Sequence, residues 1–114
     1  MTARFLAVYE TPADPKAFDQ HYREVHIPLA SRLPGLRRYT VSYDMTALRG
    51  EACYMVAELE WVTLDDLRAA FASPVGRATA ADAARLEELA SVQSMVFTAQ
   101  DAGAPDHAAA PVFS

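Results

Sequence analysis

The chain has 114 residues, enough for one domain with a modest core but not for two. Hydrophobic residues make up 52% of it, which excludes an intrinsically disordered protein, and 15 acidic against 10 basic residues argue against nucleic acid or an anionic membrane as the main partner. The single cysteine, Cys53, excludes an intramolecular disulfide, and no apolar run reaches the roughly 20 residues of a membrane span, so we expect a soluble, cytoplasmic protein.

The first predicted element is a strand at Phe5–Tyr9, a short run that is apolar on both of its faces. A helix follows, because Asp14 suits its N-cap and Pro15 suits its first position. The predicted buried stripe of this helix has members three or four residues apart: Phe18, Tyr22, Val25, Leu29 and Leu33. The helix is predicted to end at Pro34-Gly35.

Pro28 lies inside this helical pattern. Its ring nitrogen has no proton, so it cannot donate a hydrogen bond to the carbonyl of Glu24. The sequence therefore predicts a kink or a break of the helix near His26.

The second half of the chain predicts further strands and helices, followed by a tail. In order the elements are strands Leu36–Tyr43 and Cys53–Trp61, a helix from Thr63 through Phe71, a new start at Ser73-Pro74, a helical stretch from about Asp82 to Ala90, and a strand Val92–Ala99. Residues 1–100 form the predicted domain. Residues 101–114 lack periodicity, and we expect this C-terminal tail to add no helix or strand to the core.

The predicted order of strand, helix, strand, strand, helix, strand is the split βαβ or ferredoxin-like topology. The fold class is α+β, with a four-stranded antiparallel sheet and both helices on one of its faces. The other face would still carry many apolar side chains, which a monomer would expose to water. We therefore expect a homodimer in which two sheets pack face to face, a dimeric α+β barrel.

Two strings, Tyr22-x-x-x-His26-x-Pro28-Leu29 and Leu33-Pro34-Gly35-Leu36, resemble those of the EthD family, and the resemblance covers roughly residues 3–100. It implies a homodimeric barrel with a pocket between each sheet and its helices. It implies less about chemistry, since some relatives are dehydratases, cyclases or isomerases acting on polyketides or lactones and others are accessory proteins. In the catalytic relatives a histidine of the first helix often lines the pocket, and His26 is the matching position.

His26 is the candidate catalytic residue, because a histidine that faces a cleft can give or take a proton near neutral pH. The alternative is a histidine at the helix edge that bonds to the sheet or to a carboxylate. Tyr22, one turn earlier on the same face, and Tyr39, after the Pro-Gly turn, are candidate substrate-binding residues. For both tyrosines the alternative is core packing with the hydroxyl in contact with water.

Other polar residues have simpler interpretations. Glu58 and Glu60 share one strand face and could act as a base, pair with Arg38 or line the barrel rim. His21 is predicted to lie at the surface. It is five residues from His26, whereas two histidines that bind one metal ion from a helix are four residues apart, so the two are not expected to share a face. We therefore expect no metal site. With only four glycines there is no phosphate-binding loop, so we expect no nucleotide cofactor. Haem-binding relatives of this barrel class would make His26 a candidate axial ligand, but no other residue supports haem, and we expect no cofactor.

Two functions of different classes stay open. The first is a cofactor-free acid/base isomerase, dehydratase or cyclase of a catabolic or biosynthetic pathway, acting on a small apolar oxygenated molecule. The second is a non-catalytic dimeric ligand-binding or accessory protein, and a cofactor-free monooxygenase is a third alternative. Polar groups that converge beside His26 would favour the enzyme, whereas a small or filled cavity would favour the binding protein.

Overall fold

The computed structural model describes residues 1–103. In chain order it contains strand β1 (Thr2–Tyr9), helix α1 (Pro15–His21), a π-helical turn (Tyr22–His26), helix α2 (Ile27–Ala30), strands β2 (Arg38–Ser42) and β3 (Met55–Trp61), helices α3 (Leu64–Ala72) and α4 (Pro74–Leu89), and strand β4 (Val92–Ala99). Most of the predicted tail, residues 104–114, lies outside this description. Within it, no helix is long and apolar enough to cross a membrane.

The four strands form one antiparallel sheet in the order β2-β3-β1-β4. The helices pack on one face, here called the helix-covered face, whose buried residues on β1 and β3 are Ala3, Ala7, Tyr9, Met55, Ala57, Leu59 and Trp61. The opposite side, here called the open face, carries Arg4, Leu6, Val8, Val56, Glu58 and Glu60. The predicted ferredoxin-like fold is confirmed.

Side-chain caps set where the helices begin. The backbone N–H of Ala17 donates to the Asp14 carboxylate, which caps α1 as the sequence predicts. At the start of α4, the N–H of Gly76 donates to the Ser73 hydroxyl over 3.0 Å. This cap explains why α4 begins at Pro74, well before the predicted helical stretch from Asp82.

Gly76 allows α3 and α4 to approach each other closely. A Cβ atom at this position would lie 2.2 Å from the carbonyl oxygen of Ala70 and 2.4 Å from that of Phe71. These distances are far inside van der Waals contact, so only glycine fits here without moving the backbone. Gly76 therefore fixes how closely the first turn of α4 packs against the end of α3.

The predicted irregularity near His26 takes the form of a π-helical turn. The backbone stays helical on both sides of the turn, and the N–H of Ile27 donates to the carbonyl of Tyr22, five residues earlier. The turn ends just before Pro28, whose missing N–H leaves the carbonyl of Glu24 without its usual helical donor. The helix is therefore continuous across residues 15–30 and not broken.

The π turn changes which side chains face the sheet. The predicted stripe included Val25, but Val25 is 43% exposed and His26 is buried in its place. The reason is that a turn closed by an i→i+5 bond holds one more residue than an α turn, so the inward position shifts along the chain. Tyr22, His26 and Ala30 follow one another on the buried face.

Candidate functional site

A cavity of about 220 Å³ lies between the helix-covered face of the sheet and the helices above it. Its space results from small side chains, since Ala7 and Ala57 are direct neighbours on β1 and β3 and three more alanines line the helical wall. Larger apolar residues close the remaining walls: Phe5, Leu33, Leu59 and Phe71. The volume is below the roughly 300 Å³ at which pockets for drug-sized ligands begin, so any ligand is small.

The structure brings the three predicted site residues together at this cavity, because Tyr22, His26 and Tyr39 all line it. The hydroxyls of Tyr22 and Tyr39 form a hydrogen bond with each other. The ring centroids of Tyr22 and His26 are 5.0 Å apart. Within residues 1–103, no Asp, Glu, Lys or Arg side chain lines the cavity, so its walls favour a neutral ligand.

Asp82, on α4, completes the site and was missed in the sequence. Its carboxylate oxygen Oδ2 lies 2.8 Å from Nδ1 of His26. Burial acts to raise the pKa of Asp82, but hydrogen bonds from His26 and His21 outweigh it and lower that pKa, so the group is ionised at neutral pH. The available signal was its position four residues before the buried Leu86, on the inward face of the helix.

The hydrogen bond to Asp82 fixes the protonation of His26. Burial lowers the pKa of His26, although the bond to Asp82 acts in the opposite direction, and the ring is neutral at neutral pH. Because an ionised carboxylate can only accept, the ring carries its proton on Nδ1 and keeps a lone pair on Nε2. Nε2 has no hydrogen-bond partner in the described part of the chain, and the ring lines the cavity.

His21 binds the same carboxylate from the other side. Its Nε2 lies 2.8 Å from Oδ1 of Asp82, and its side chain is 25% exposed. The prediction that His21 lies off the face of His26 is therefore wrong, because the π turn aligns residues five apart, and the His21 ring is half-buried at the outer end of the contact. These contacts are hydrogen bonds, and among residues 1–103 no group of three or more His, Cys, Asp or Glu side chains could hold a metal ion.

The paired tyrosines are hydrogen-bond donors and not bases. Burial raises the pKa of Tyr39 to about 12 and raises that of Tyr22 further. Both hydroxyls therefore keep their protons at neutral pH. One proton is used in the bond between them, which leaves the other free to donate to an oxygen atom of a ligand.

Glu58 and Glu60 lie away from the cavity, on the open face. They pair with Arg4, at 3.5 Å from Nη1 and 3.3 Å from Nη2 respectively. Their partner is therefore Arg4 and not the predicted Arg38, and they are not placed to act on a molecule in the cavity. A partly exposed ion pair of this kind contributes little to stability, typically about 0–1 kcal/mol.

The fold and the cavity under its helices define an α+β protein of the ferredoxin-like class, and solved structures agree. The cofactor-independent oxygenase SnoaB from Streptomyces nogalater matches with a TM-score of 0.66 at 22% identity, over 88% of this chain and 94% of SnoaB. Proteins from Thermobifida fusca and Bacteroides fragilis, described as dimeric with a ferredoxin-like fold, match with TM-scores of 0.65 and 0.57. They are 20% and 15% identical, over 87% and 84% of this chain and 92% and 94% of theirs.

Sequence comparison then gives the family. The EthD domain matches residues 10–90. An uncharacterized 11.0 kDa protein in the thcB-thcC intergenic region of Rhodococcus erythropolis is 35% identical over 104 residues, which are 90% of this chain and 98% of that protein. A solved EthD family protein from Bacillus halodurans is 30% identical, covers 88% of this chain and 100% of its own, and has a TM-score of 0.79. The chain belongs to the EthD family, and the predicted resemblance is confirmed.

Proposed function

We propose that this EthD protein is a cofactor-free acid/base enzyme for a small, neutral, mostly apolar molecule that carries a carbonyl or hydroxyl oxygen. The observation that carries the proposal is that a proton acceptor and a hydrogen-bond donor line the same cavity. His26 offers an unprotonated nitrogen, and the Tyr22–Tyr39 pair offers a hydroxyl proton. A base and a donor on one enclosed space are what proton transfer beside a carbonyl group requires.

In the proposed step, Nε2 of His26 takes a proton from a carbon next to the carbonyl of the substrate. The electron pair of that C–H bond moves onto the carbonyl oxygen, giving an enolate. A hydroxyl of the Tyr22–Tyr39 pair donates to this oxygen and stabilises its negative charge. Return of the proton to a different carbon completes an isomerisation, and its return to a neighbouring hydroxyl group, which leaves as water, completes a dehydration.

Asp82 acts on this step through His26 and does not reach the substrate. Its hydrogen bond holds the ring in the tautomer that presents a lone pair on Nε2. When the ring takes the second proton, the adjacent carboxylate stabilises the positive charge that forms. Asp82 is therefore a positioning residue, His26 the catalytic residue, and Tyr22 and Tyr39 the substrate-binding residues of the proposal.

A non-catalytic ligand-binding or accessory protein is the second candidate, and the small volume of the cavity favours it. Such a protein would use the same donors and the same apolar walls without moving a proton. A cofactor-free oxygenase is the third candidate. The solved SnoaB is described as a cofactor-independent oxygenase, and what it shares with this chain is the fold.

Deuterium exchange distinguishes these candidates. The protein is incubated in D₂O with a panel of small phenols, cyclic ketones and lactones, and each compound is followed by NMR while an electrode records dissolved oxygen. The acid/base enzyme exchanges a C–H proton next to a carbonyl faster than buffer does, and the His26→Gln variant does not. Binding without exchange supports the accessory protein, and consumption of oxygen supports the oxygenase.

We propose in addition that the chain forms a homodimer through the open face of its sheet. Apolar side chains on this face are half-buried or exposed in the single chain: Leu6, Val8, Val56, Met95 and Phe97. Two solved relatives that are described as dimeric support the proposal. The dimer interface should bury more than roughly 1,200 Å² in total. Sedimentation at micromolar concentration should show the dimer, and a stable monomer would contradict the proposal.

A further inference from the structure

His21 is the one member of the buried polar cluster that the proposed reaction leaves without a task. We infer that His21 is a positioning residue for His26: by donating to one oxygen of Asp82, it fixes the carboxylate whose other oxygen holds the catalytic ring. The inference rests on the proposed function for its effect on catalysis. Its effect on the His26 ring can be measured without any substrate.

The contacts around Asp82 form a symmetrical clamp. Nε2 of His21 lies 2.8 Å from Oδ1, and Nδ1 of His26 lies 2.8 Å from Oδ2. The terminal torsion of an aspartate is soft, so a carboxylate held at one oxygen can swing about its own axis. Held at both oxygens, it has one orientation, and the lone pair that receives the His26 proton has one direction.

The π turn makes this clamp possible. His21 is the last residue of α1 and His26 the last residue of the turn, so the two rings are five positions apart. In a regular α-helix they would lie on different faces, and one carboxylate could not reach both. The i→i+5 bonding of the turn places them in line against Asp82 of α4.

The side chains of His21, His26 and Asp82 are buried to different extents, and their roles differ accordingly. The side chains of His26 and Asp82 are 9% and 8% exposed, whereas that of His21 is 25% exposed and forms the outer end of the cluster. An ionised carboxylate so deeply buried requires donors on both of its oxygens. His21 supplies the donor that His26 cannot supply, and thereby keeps Asp82 ionised while His26 gains and loses its proton.

A purely structural link between α1 and α4 would also place a histidine here, so the test must separate the two roles. His21→Gln keeps an amide N–H at about the reach of the histidine Nε2, whereas His21→Asn is too short and His21→Leu has no donor. Gln20→Leu is the matched control, because Gln20 is exposed and directly precedes His21. Long-range ¹H–¹⁵N NMR of the imidazole rings reports the tautomer of His26 in each full-length variant.

The parent protein and Gln20→Leu should show His26 in the Nδ1-protonated tautomer alone. His21→Gln should keep that spectrum, and His21→Leu and His21→Asn should show a mixture of both tautomers. With a substrate from the panel, the latter two should lose kcat on the order of tenfold at nearly constant KM, because His21 orients His26 only through Asp82. His21→Gln should restore kcat.

An unchanged His26 spectrum in a folded His21→Leu or His21→Asn variant overturns the inference. Equal loss in His21→Gln and His21→Leu also overturns it, since the donor would then not be what matters. If no compound of the panel is turned over, the ring spectra still decide the role of His21, and only the proposed function fails. His21→Asn keeps the comparison intact if His21→Leu does not fold.

Discussion

Ionisable side chains pair on both faces of the sheet, but the two faces hold their pairs in opposite surroundings. On the open face, Arg4 reaches both Glu58 and Glu60 over 3.3 to 3.5 Å, and all three side chains stay partly exposed in the single chain. On the helix-covered face, His26 and Asp82 are nearly inaccessible and bond over 2.8 Å. In the single chain, water can replace the first set of contacts when a partner is lost, whereas it has little access to the second.

This contrast explains why residue type alone does not locate the site. By residue type alone, Glu58, Glu60 and His26 could each act as a general acid or base. Only His26 combines burial, a fixed tautomer and a wall of the cavity. Burial and the hydrogen bond to Asp82 therefore distinguish His26 from the two carboxylates, which form partly exposed ion pairs with Arg4.

The largest expected difference between the faces is in catalysis. His26→Gln should lower kcat/KM by about 10²–10⁴-fold on any substrate of the panel, because the amide keeps much of the shape but cannot take up a proton. The matched change on the open face, Glu60→Gln, should leave turnover nearly unchanged. Both rates come from the same steady-state assay. If His26→Gln stays active, His26 is a structural residue and the binding protein becomes the better assignment.

The next difference is in stability. Asp82→Ala leaves the buried Nδ1–H of His26 and the half-buried Nε2–H of His21 without their acceptor, which should cost about 1–3 kcal/mol and lower Tm by roughly 5–15 °C. Asp65→Ala, which breaks the exposed pair with Arg68 on α3, should cost less than about 1 kcal/mol, since water takes the place of the lost partner. Thermal unfolding followed by circular dichroism measures both. Equal losses in the two variants would show that the buried pair carries no special weight.

The prediction with the smallest expected effect concerns pH. Burial lowers the pKa of His26 in the folded chain from its usual 6.5, so below about pH 6.5 the unfolded chain binds more protons. The stability that the neutral ring contributes is therefore lost as pH falls from about 6.5 toward the lowered pKa. The lowered pKa of Asp82 acts only at lower pH, below 3.8. The other titratable group of this cluster is His21, on the outer side of Asp82.

Melting curves at pH 7.5, 6.5 and 5.5 test this sign. Tm should fall across the series for the parent protein and for Glu58→Gln, and the fall should be smaller for His26→Gln. A Tm that rises on acidification, or the same fall in His26→Gln, would place the pH dependence elsewhere in the chain.

Much of the fold could be predicted because its signals are local. The alternation in β3 and the caps at Asp14 and Thr63 each depend on a few neighbouring residues. Their order then leaves the ferredoxin-like topology as the simplest arrangement. The family strings around His26 and Pro34 pointed to the same result.

The site could be predicted only in part, because two of its features are not local. Pro28 predicts an irregular helix, but the sequence does not say that the irregularity is a π turn, and that turn alone decides that Val25 faces water and His21 faces Asp82. The partners of Asp82 are set by the packing of α4 against residues 15–30, which the sequence does not reveal. Tyr22 and His26 could be selected because family resemblance and helical spacing agreed on them, and Tyr39 because it follows the Pro-Gly turn of the family string.

The most direct test of the central claim is a crystal structure of the protein with a ligand from the panel. The account predicts density in the cavity, with a ligand carbon or hydroxyl within about 3.5 Å of Nε2 of His26 and a ligand oxygen about 2.6–3.2 Å from the Tyr22 or Tyr39 hydroxyl. His26 should still donate through Nδ1 to Asp82. A ligand bound only outside the cavity, or a His26 ring whose Nε2 is bonded to the protein, would contradict the account.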